Sequence, residues 1–456
     1  YNMDTDLYIV VIELGSSKIT GLGGKKKADG SLDILAFAQE ESSSFIKKGL
    51  IHNMDKSVQC IKTIINRLEE QLKRKISQVY VAYGGKSIHS QINYVNRQYE
   101  TERPISESIV QDLFDNNITS INDFDLLDSV VQEYIIGSQS TLEPIGVLGN
   151  SIEGHFMNIL ARKTLLANIE SCFKASEVKI IKKVPIPLLL GDEILTDSVK
   201  NSGCMLVDMG ADTTSVMIYK NKILRYVSVI PLGSDNITKD IMSLQVEKQE
   251  AEELKMGQHG FARYDYNKDD NEDCALKESD KIIYTTSTGF AITKGKFSEV
   301  IDARITEIVE NVKVQLIESH FPMSKLLAGV FLTGGGANIQ NISQVFKEVL
   351  GADKVTISNK GLTTFKLHVF GKENNINAAI ALFAQGKQNC CGITIEKEEN
   401  STMFKEQAKE DITANIATLS EPKIKEEKEE QNKEKKPKFT KLKKLWQKIN
   451  ESINEE

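Results

Sequence analysis

Cysteine is scarce in this chain and follows no pattern. The six residues Cys60, Cys172, Cys204, Cys274, Cys390 and Cys391 include no Cys-x-x-Cys pair, and the adjacent Cys390-Cys391 is not a metal-ligand spacing. This argues against a zinc site or a redox dithiol, and for buried, inert thiols in a reducing cytosol. No apolar run approaches the ~20 residues that span a bilayer. No signal-peptide pattern opens the chain, and Tyr1-Asn2 precede Met3, which reads as the native start. The formal net charge of −7 gives no ground for nucleic-acid binding. Tryptophan occurs once, at position 446.

What is present suits folding. The 456 residues fit two domains or an elaborated pair, and 40% hydrophobic content is enough for sizeable cores. Leu7 to Ile12 reads as a buried strand, with a Gly/Ser turn and a second strand at Ile19 to Leu22. Val58, Ile61, Ile64, Ile65 and Leu68 have helical spacing within Ser57 to Leu72. Val79 to Tyr83 is a further strand. From about Gly84 to Arg162 the pattern changes to short strands and polar turns around two helical segments, read as an inserted subdomain. Met205 to Val207 restarts a strand–turn–strand unit. Glu247 to Met256 and Phe297 to Glu318 read as helices, and Asp265 to Asp273 as an acidic surface loop. The ordered core is expected to end near Gln385-Gly386. Residues 421–436 hold six acidic and six basic side chains in sixteen positions, a composition that cannot offset ordering entropy and reads as linker.

One pattern occurs twice. Ile12-Glu13-Leu14-Gly15-Ser16-Ser17-Lys18 and Val207-Asp208-Met209-Gly210-Ala211-Asp212-Thr213-Thr214 each end a buried strand in acid-x-Gly, followed by small or hydroxylated residues and another strand. Glycine lets the backbone turn tightly against an anion, and successive N–H groups there form a concave anion site. On this reading Gly15, Ser16, Ser17, Lys18, Gly210, Ala211, Asp212 and Thr213 hold phosphates. Glu13 and Asp208 would repel phosphate directly, but they suit a hydrated Mg²⁺ that bridges it. A third turn, Gly334-Gly335-Gly336, follows the strand Val330 to Thr333 and offers bare backbone to a flat base or ribose; Asn338 suits a helix N-cap. A lone acid-x-Gly hairpin is ordinarily only a hairpin. Two of them about 195 residues apart, and a glycine turn about 120 further on, place three turns around one nucleotide if the halves meet at a cleft.

The order of phosphate turn, phosphate turn and adenosine turn resembles the actin/Hsp70/sugar-kinase superfamily. Within it the chain is similar to the FtsA family in Glu13–Leu22, Val79–Lys86, Val207–Ala211, Ala251–Lys255 and Leu332–Ala337. The resemblance covers roughly residues 5–385 and the extreme C-terminus. It implies an α/β, actin-like two-lobed ATPase fold with an inserted α+β subdomain, a flexible linker and a C-terminal amphipathic helix. The implied parts are 5–83 with 163–204 as first lobe core, 84–162 as the insert, 205–232 with 326–386 as second lobe core, 233–325 as its smaller subdomain, 387–436 as linker and 437–456 as the membrane helix. It further implies ATP and Mg²⁺ as cofactors, with Glu252, Lys255, Gly334, Gly335, Gly336 and Asn338 around adenosine. Without the resemblance, Glu252 and Lys255 read equally well as a solvated helix face. The implied partners are the C-terminal peptide of FtsZ, further copies of the chain in filaments, other division proteins and anionic lipids. The implied place is the cytoplasmic face of the cell membrane at the division site, as a peripheral protein.

Two departures stand out. Glu13 replaces the superfamily's commoner Asp, and Asp212 lies inside a phosphate turn, where a carboxylate opposes phosphate unless it points away. No general base for water is identifiable, so any turnover is expected to be slow. A sugar-kinase-type phosphotransferase is the alternative, but no candidate catalytic Asp stands out. An Hsp70-type chaperone needs a β-rich peptide-binding domain, for which only about seventy mostly polar residues remain.

The last twenty residues differ from the linker. Phe439, Leu442, Leu445, Trp446, Ile449 and Ile453 fall within an arc of roughly 120° at helical spacing, while Lys441, Lys443, Lys444 and Lys448 lie outside it. This is the pattern of a helix lying in a membrane interface. The competing reading is a helix docked on the protein's own core or in a coiled coil, since 439, 442, 446, 449 and 453 also form a seam of barely two heptads.

Overall fold

A computed structural model describes residues 7–117, 123–257, 281–286, 289, 291–368 and 376–394, all within the compact unit Tyr1–Lys397. The acidic stretch 265–273, the charged segment 421–436 and the C-terminal helix expected at 438–453 lie outside the described residues.

The first half opens with β1 (Leu7–Leu14), β2 (Lys18–Lys26) and β3 (Leu32–Glu41), an antiparallel meander. The short pair β4 (Ile46–Lys47) and β5 (Leu50–Ile51) leads to α1 (Met54–Leu72), β6 (Arg74–Ile76) and β7 (Gln78–Tyr83). Strand β1 is central and parallel to β7, and Ile9, Val10, Val11 and Ile12 are fully buried, as a β-branched run covered on both faces should be. Asn53 caps α1 by accepting from Lys56 N–H at 3.0 Å, and Ile61, Ile64, Ile65, Leu68 and Leu72 form its buried face. That face lies so close to β2 that a Cβ at Gly21 would stand 2.5 Å from Ile64 Cγ2, so glycine there is a packing requirement.

The next segment holds β8 (His89–Pro104), α2 (Glu107–Asn117), β9 (Phe124–Ile136), β10 (Gln139–Thr141) and β11 (Leu148–Arg162). Sequence reading expected short strands and two helices here. Among the described residues there is one helix, and three of the strands are long. Those strands are half exposed along much of their length, and β11 carries register shifts, so their two-residue period is diluted. The segment has its own small core, with Ile109 and Leu113 of α2 packed against Tyr134, Ile152 and Phe156. The first half then resumes with α3 (Lys163–Ala175), β12 (Lys179–Pro185), α4 (Ile186–Ile194) and α5 (Asp197–Ser202).

The second half repeats the plan with β13 (Cys204–Met209), β14 (Thr214–Lys220), β15 (Ile223–Ile230), α6 (Ser234–Met242), α7 (Lys248–Met256), β16 (Ile282–Thr285), β17 (Ala291–Thr293), α8 (Lys294–Glu318), β18 (Gly329–Thr333), α9 (Ile342–Leu350) and β19 (Val355–Ile357). Its strands lie in the order β15-β14-β13-β18-β19, which repeats β3-β2-β1-β7-β12 of the first half. In each copy an antiparallel meander is extended by two parallel strands. A second core, built on Phe297, Ile301, Ile305, Val309 and Val312 of α8, lies against β13 and β18 residues such as Val207 and Leu332.

Two boundaries differ from expectation. The chain closes with β20 (Phe365–Leu367), α10 (Asn377–Gln385) and β21 (Cys391–Thr394). Strand β20 joins the edge of the first sheet beside β3, and α10 packs in the first core, so the second-half assignment of 326–386 does not hold for its end. Strand β21 pairs with β6, and Cys390 is fully buried, so residues 387–394 belong to the folded body and not to the linker. The polar neighbours Gln388 and Asn389 hide this, because their polar groups bond to Tyr80, Gln78 and Tyr8.

Candidate functional site

The two acid-x-Gly turns share one internal geometry. Gly15 N–H donates to Lys18 O at 3.1 Å, and Gly210 N–H donates to Thr213 O at 2.9 Å. A Cβ at either glycine would crowd that same carbonyl, at 2.6 Å and 2.9 Å, which accounts for the residue type at the pivot of each turn. Each turn is held from behind by a serine. Ser42 donates through N–H to Ser17 O and through Oγ to Gly15 O, while Ser234 N–H at the start of α6 donates to Gly210 O and Asp235 N–H to Ala211 O. Those bonds use the carbonyls behind the turns.

The acids Glu13 and Asp208 stand at the ends of the two central strands, close enough for the charge of Asp208 to act on Glu13. Each keeps a part of its surface in contact with solvent, although Glu13 Oε2 itself is closed off. Burial, and then Asp208, push the Glu13 carboxyl up to about 7 against the pull of Lys18, and burial lifts Asp208 to about 6. Burial also lowers the ammonium of Lys18, and Glu13 opposes that. Ala379 N–H, at the start of α10, donates to the Glu13 carboxylate, but Glu13 Oε2 has no hydrogen-bond partner. Thr333 Oγ1, on the residue opposite Asp208 in the β13–β18 ladder, is likewise buried without a partner. Among the described residues no cluster of three or more His, Cys, Asp or Glu could hold a metal by itself. Two carboxylates are too few for an all-protein cage. They fit Mg²⁺, which keeps several waters and shares its shell with phosphate oxygens.

This pair gives a pH prediction. A carboxyl raised in the fold keeps a proton that the unfolded chain has already released. Folding therefore takes up a proton between the ordinary value of 4.5 and about 7, and stability falls as pH rises through that window and levels off above it. The Glu13 shift is worth about 3 kcal/mol. In urea unfolding without nucleotide, Glu13→Gln is expected to remove much of the parent's loss of stability between pH 5 and pH 8. An unchanged slope would show that Glu13 is not the buried titrating group.

The third turn lies beside the second. Gly334 has φ +87°, and a side chain there would strike Asp208 Oδ1. Gly336 is closed in by Met209 and Ser234, at 2.9 Å and 3.2 Å from an added Cβ, whereas a Cβ at Gly335 meets nothing within 4 Å. Gly335–Asn338 forms one 3-10 turn, and α9 starts only at Ile342 behind Asn341, so Asn338 is not the N-cap expected from the sequence. Its Oδ1 instead accepts from Asn359 Nδ2 at 2.6 Å. Glu252 and Lys255 do not form a solvated pair. Lys255 is 3% exposed and donates to Glu252 and Thr238 Oγ1, each at 2.8 Å, and to Ser234 O at 3.3 Å. It thus ties α7 to the same Ser234 that supports the second turn and borders Gly336.

Asp212 does point away from its own turn. Its Oδ2 accepts from Lys48 N–H at 3.0 Å, across the cleft in the first half. The next residue in that loop donates from Gly49 N–H to Ser16 Oγ at 2.9 Å. Sequence reading missed Ser42, Lys48, Gly49 and Ser234. Gly233-Ser234-Asp235 after a strand is a helix-start signature that could have pointed to Ser234. Nothing marks Lys48 beforehand, because its contribution is a backbone N–H.

Glu13, Gly15, Ser16, Asp208, Gly210, Asp212, Gly334 and Gly336 are therefore linked through direct contacts or mutual charge into one site between two halves of like topology. That arrangement defines an actin-like α/β protein. A solved chain with this fold, from the PilM-PilN type IV pilus biogenesis complex, aligns with TM-score 0.54 at 15% identity, covering 83% of this chain and 98% of that one. The family model for cell division protein FtsA matches residues 205–380. The FtsA of Porphyromonas gingivalis is 30% identical over 349 residues, 75% of this chain and 70% of the relative, and that of Bacillus subtilis is 27% identical over 76% and 77%. The chain belongs to the FtsA family of cell division proteins.

Proposed function

We propose that this chain binds ATP·Mg²⁺ between its halves, forms filaments, and tethers FtsZ to the inner face of the cytoplasmic membrane, where it recruits later division proteins. The observation that carries the nucleotide part is the Glu13–Asp208 pair, with its buried, partnerless Glu13 oxygen, between two turns of one geometry. Gly15, Ser16, Ser17 and Lys18 face the phosphates from one side, and Gly210, Ala211 and Thr213 from the other. Gly334, Gly335 and Gly336 leave room for the base, while Glu252 and Lys255 close the far side. Bound Mg²⁺ supplies charge neutralisation on the phosphates. The chain's own contribution is to hold two carboxylates side by side in a part-buried site, where a cation would favour the ionised form of both.

The C-terminal peptide of FtsZ is assigned to 233–325, and filament contacts to the insert 84–162, on family membership. Among the described residues no helix is long and apolar enough to cross a membrane. Attachment is assigned to the segment 438–453 on its sequence pattern, an apolar arc flanked by lysines that suit anionic lipid. The test is reconstitution on vesicles of anionic lipid with ATP·Mg²⁺ and a labelled FtsZ C-terminal peptide. Label is expected at the vesicles only when this protein is present. Deleting 265–273 is expected to leave that recruitment nearly unchanged. Peptide that stays in solution alongside vesicle-bound protein would sink the tethering role.

A further inference from the structure

Among the residues read as holding phosphate, Asp212 alone carries a negative charge. It is also 8% exposed and committed to a specific partner. Lys48 and Gly49 are consecutive residues with φ 51° and +75°, a left-handed pair that turns successive N–H groups in one direction. One of these N–H groups is taken by Ser16 Oγ of the first turn, and the other by the Asp212 carboxylate of the second. The carboxylate thus occupies a donor that an anion lying between the turns would otherwise use. Its charge is only partly offset. Among the described residues the one ion pair that Asp212 makes is with Lys239 Nζ, 4.0 Å from Oδ1, and that ammonium is 55% exposed and sits closer, at 3.0 Å, to Asp235.

We infer that Asp212 sets the phosphate-chain length this cleft prefers, disfavouring a nucleoside triphosphate relative to the diphosphate. The inference rests on the proposed placement of phosphates between the two turns. A triphosphate brings an additional phosphoryl group and roughly one more negative charge into the space where Asp212 reaches toward Lys48. In a water-poor cleft that repulsion is felt far more strongly than in bulk solvent. A diphosphate carries less charge into that space and so opposes the Asp212 carboxylate less.

The test separates charge from hydrogen bonding. Asp212→Asn keeps an oxygen acceptor for Lys48 N–H and removes the charge, whereas Asp212→Gly removes both. Binding of ADP and of ATP, each with Mg²⁺, is measured by calorimetry on the full chain, and melting curves without nucleotide check the fold. Asp212→Asn is expected to strengthen ATP relative to ADP by about tenfold, with ADP affinity little changed. Asp212→Gly is expected to shift the ratio in the same direction. An unchanged ADP-to-ATP ratio in both variants overturns the inference. So does an equal loss of both nucleotides in Asp212→Asn, which would make the residue only a tie between the halves. Failure of the parent chain to bind either nucleotide would instead overturn the cleft reading on which the inference stands.

Discussion

Gly335→Trp is expected to weaken ATP binding at least about a hundredfold while leaving the fold intact. The three glycines of this turn differ physically. Gly334 is in a left-handed conformation, and Gly336 is enclosed, so a side chain at either would damage the turn itself. Gly335 has neither restriction, and an added Cβ there projects into open space. A substitution with no neighbour to disturb ordinarily changes stability by no more than about 0.5 kcal/mol. An indole at that point fills the room assigned to the base, and excluding the base forfeits about 3 kcal/mol or more of binding. Calorimetric titration of ATP beside a melting curve makes the comparison. Parent-like affinity in a folded variant would place the base somewhere else.

Trp446→Glu is expected to abolish co-sedimentation with anionic vesicles while ATP binding is retained. The substitution removes the largest side chain of the apolar arc formed with Phe439, Leu442, Leu445, Ile449 and Ile453, and puts a carboxylate in its middle. The arc then loses interfacial burial and gains repulsion from the lipid charge that Lys441, Lys443, Lys444 and Lys448 attract. The combined loss is expected to exceed roughly a hundredfold in partition. Vesicle binding equal to the parent's would show that 438–453 is not the anchor, and would favour the docked-helix or coiled-coil reading instead.

The features legible in the sequence are those whose physics is local. The hairpins at Gly15 and Gly210 announce themselves because each follows a run of buried apolar residues with a glycine at the pivot of the turn. The long helix Lys294–Glu318 shows its period because one continuous face is buried. What escaped depends on distant partners. The exchange between Asp212 and Lys48 joins a side chain to a backbone donor 164 residues away, and no residue type on the receiving side records it. The return of the chain to the first half is carried by a three-residue and a four-residue strand, too short for any alternation to be read. Lys255 looks like part of a solvated face because its burial comes from α6, against which α7 packs, and not from the polarity of its own helix.

The insert has a mechanical consequence. Covalently it hangs from the first half, leaving after Tyr83 and returning at Lys163. By hydrogen bonding it is fastened to the second. His89 pairs with Ser228, Ile88 O accepts from Val229 N–H at 3.1 Å, and Gln132 exchanges bonds with Leu224 and Arg225. The halves are also joined by the chain itself, once before β13 and once between β19 and β20. Leu206, Met217, Tyr219, Val227 and Val229 of the second half also belong to the same buried core as Leu189 and Leu190 of the first. The insert is therefore a bridge between the halves that is covalent at the Gly84-Gly85 end and hydrogen-bonded along β15, in addition to the core that the halves share.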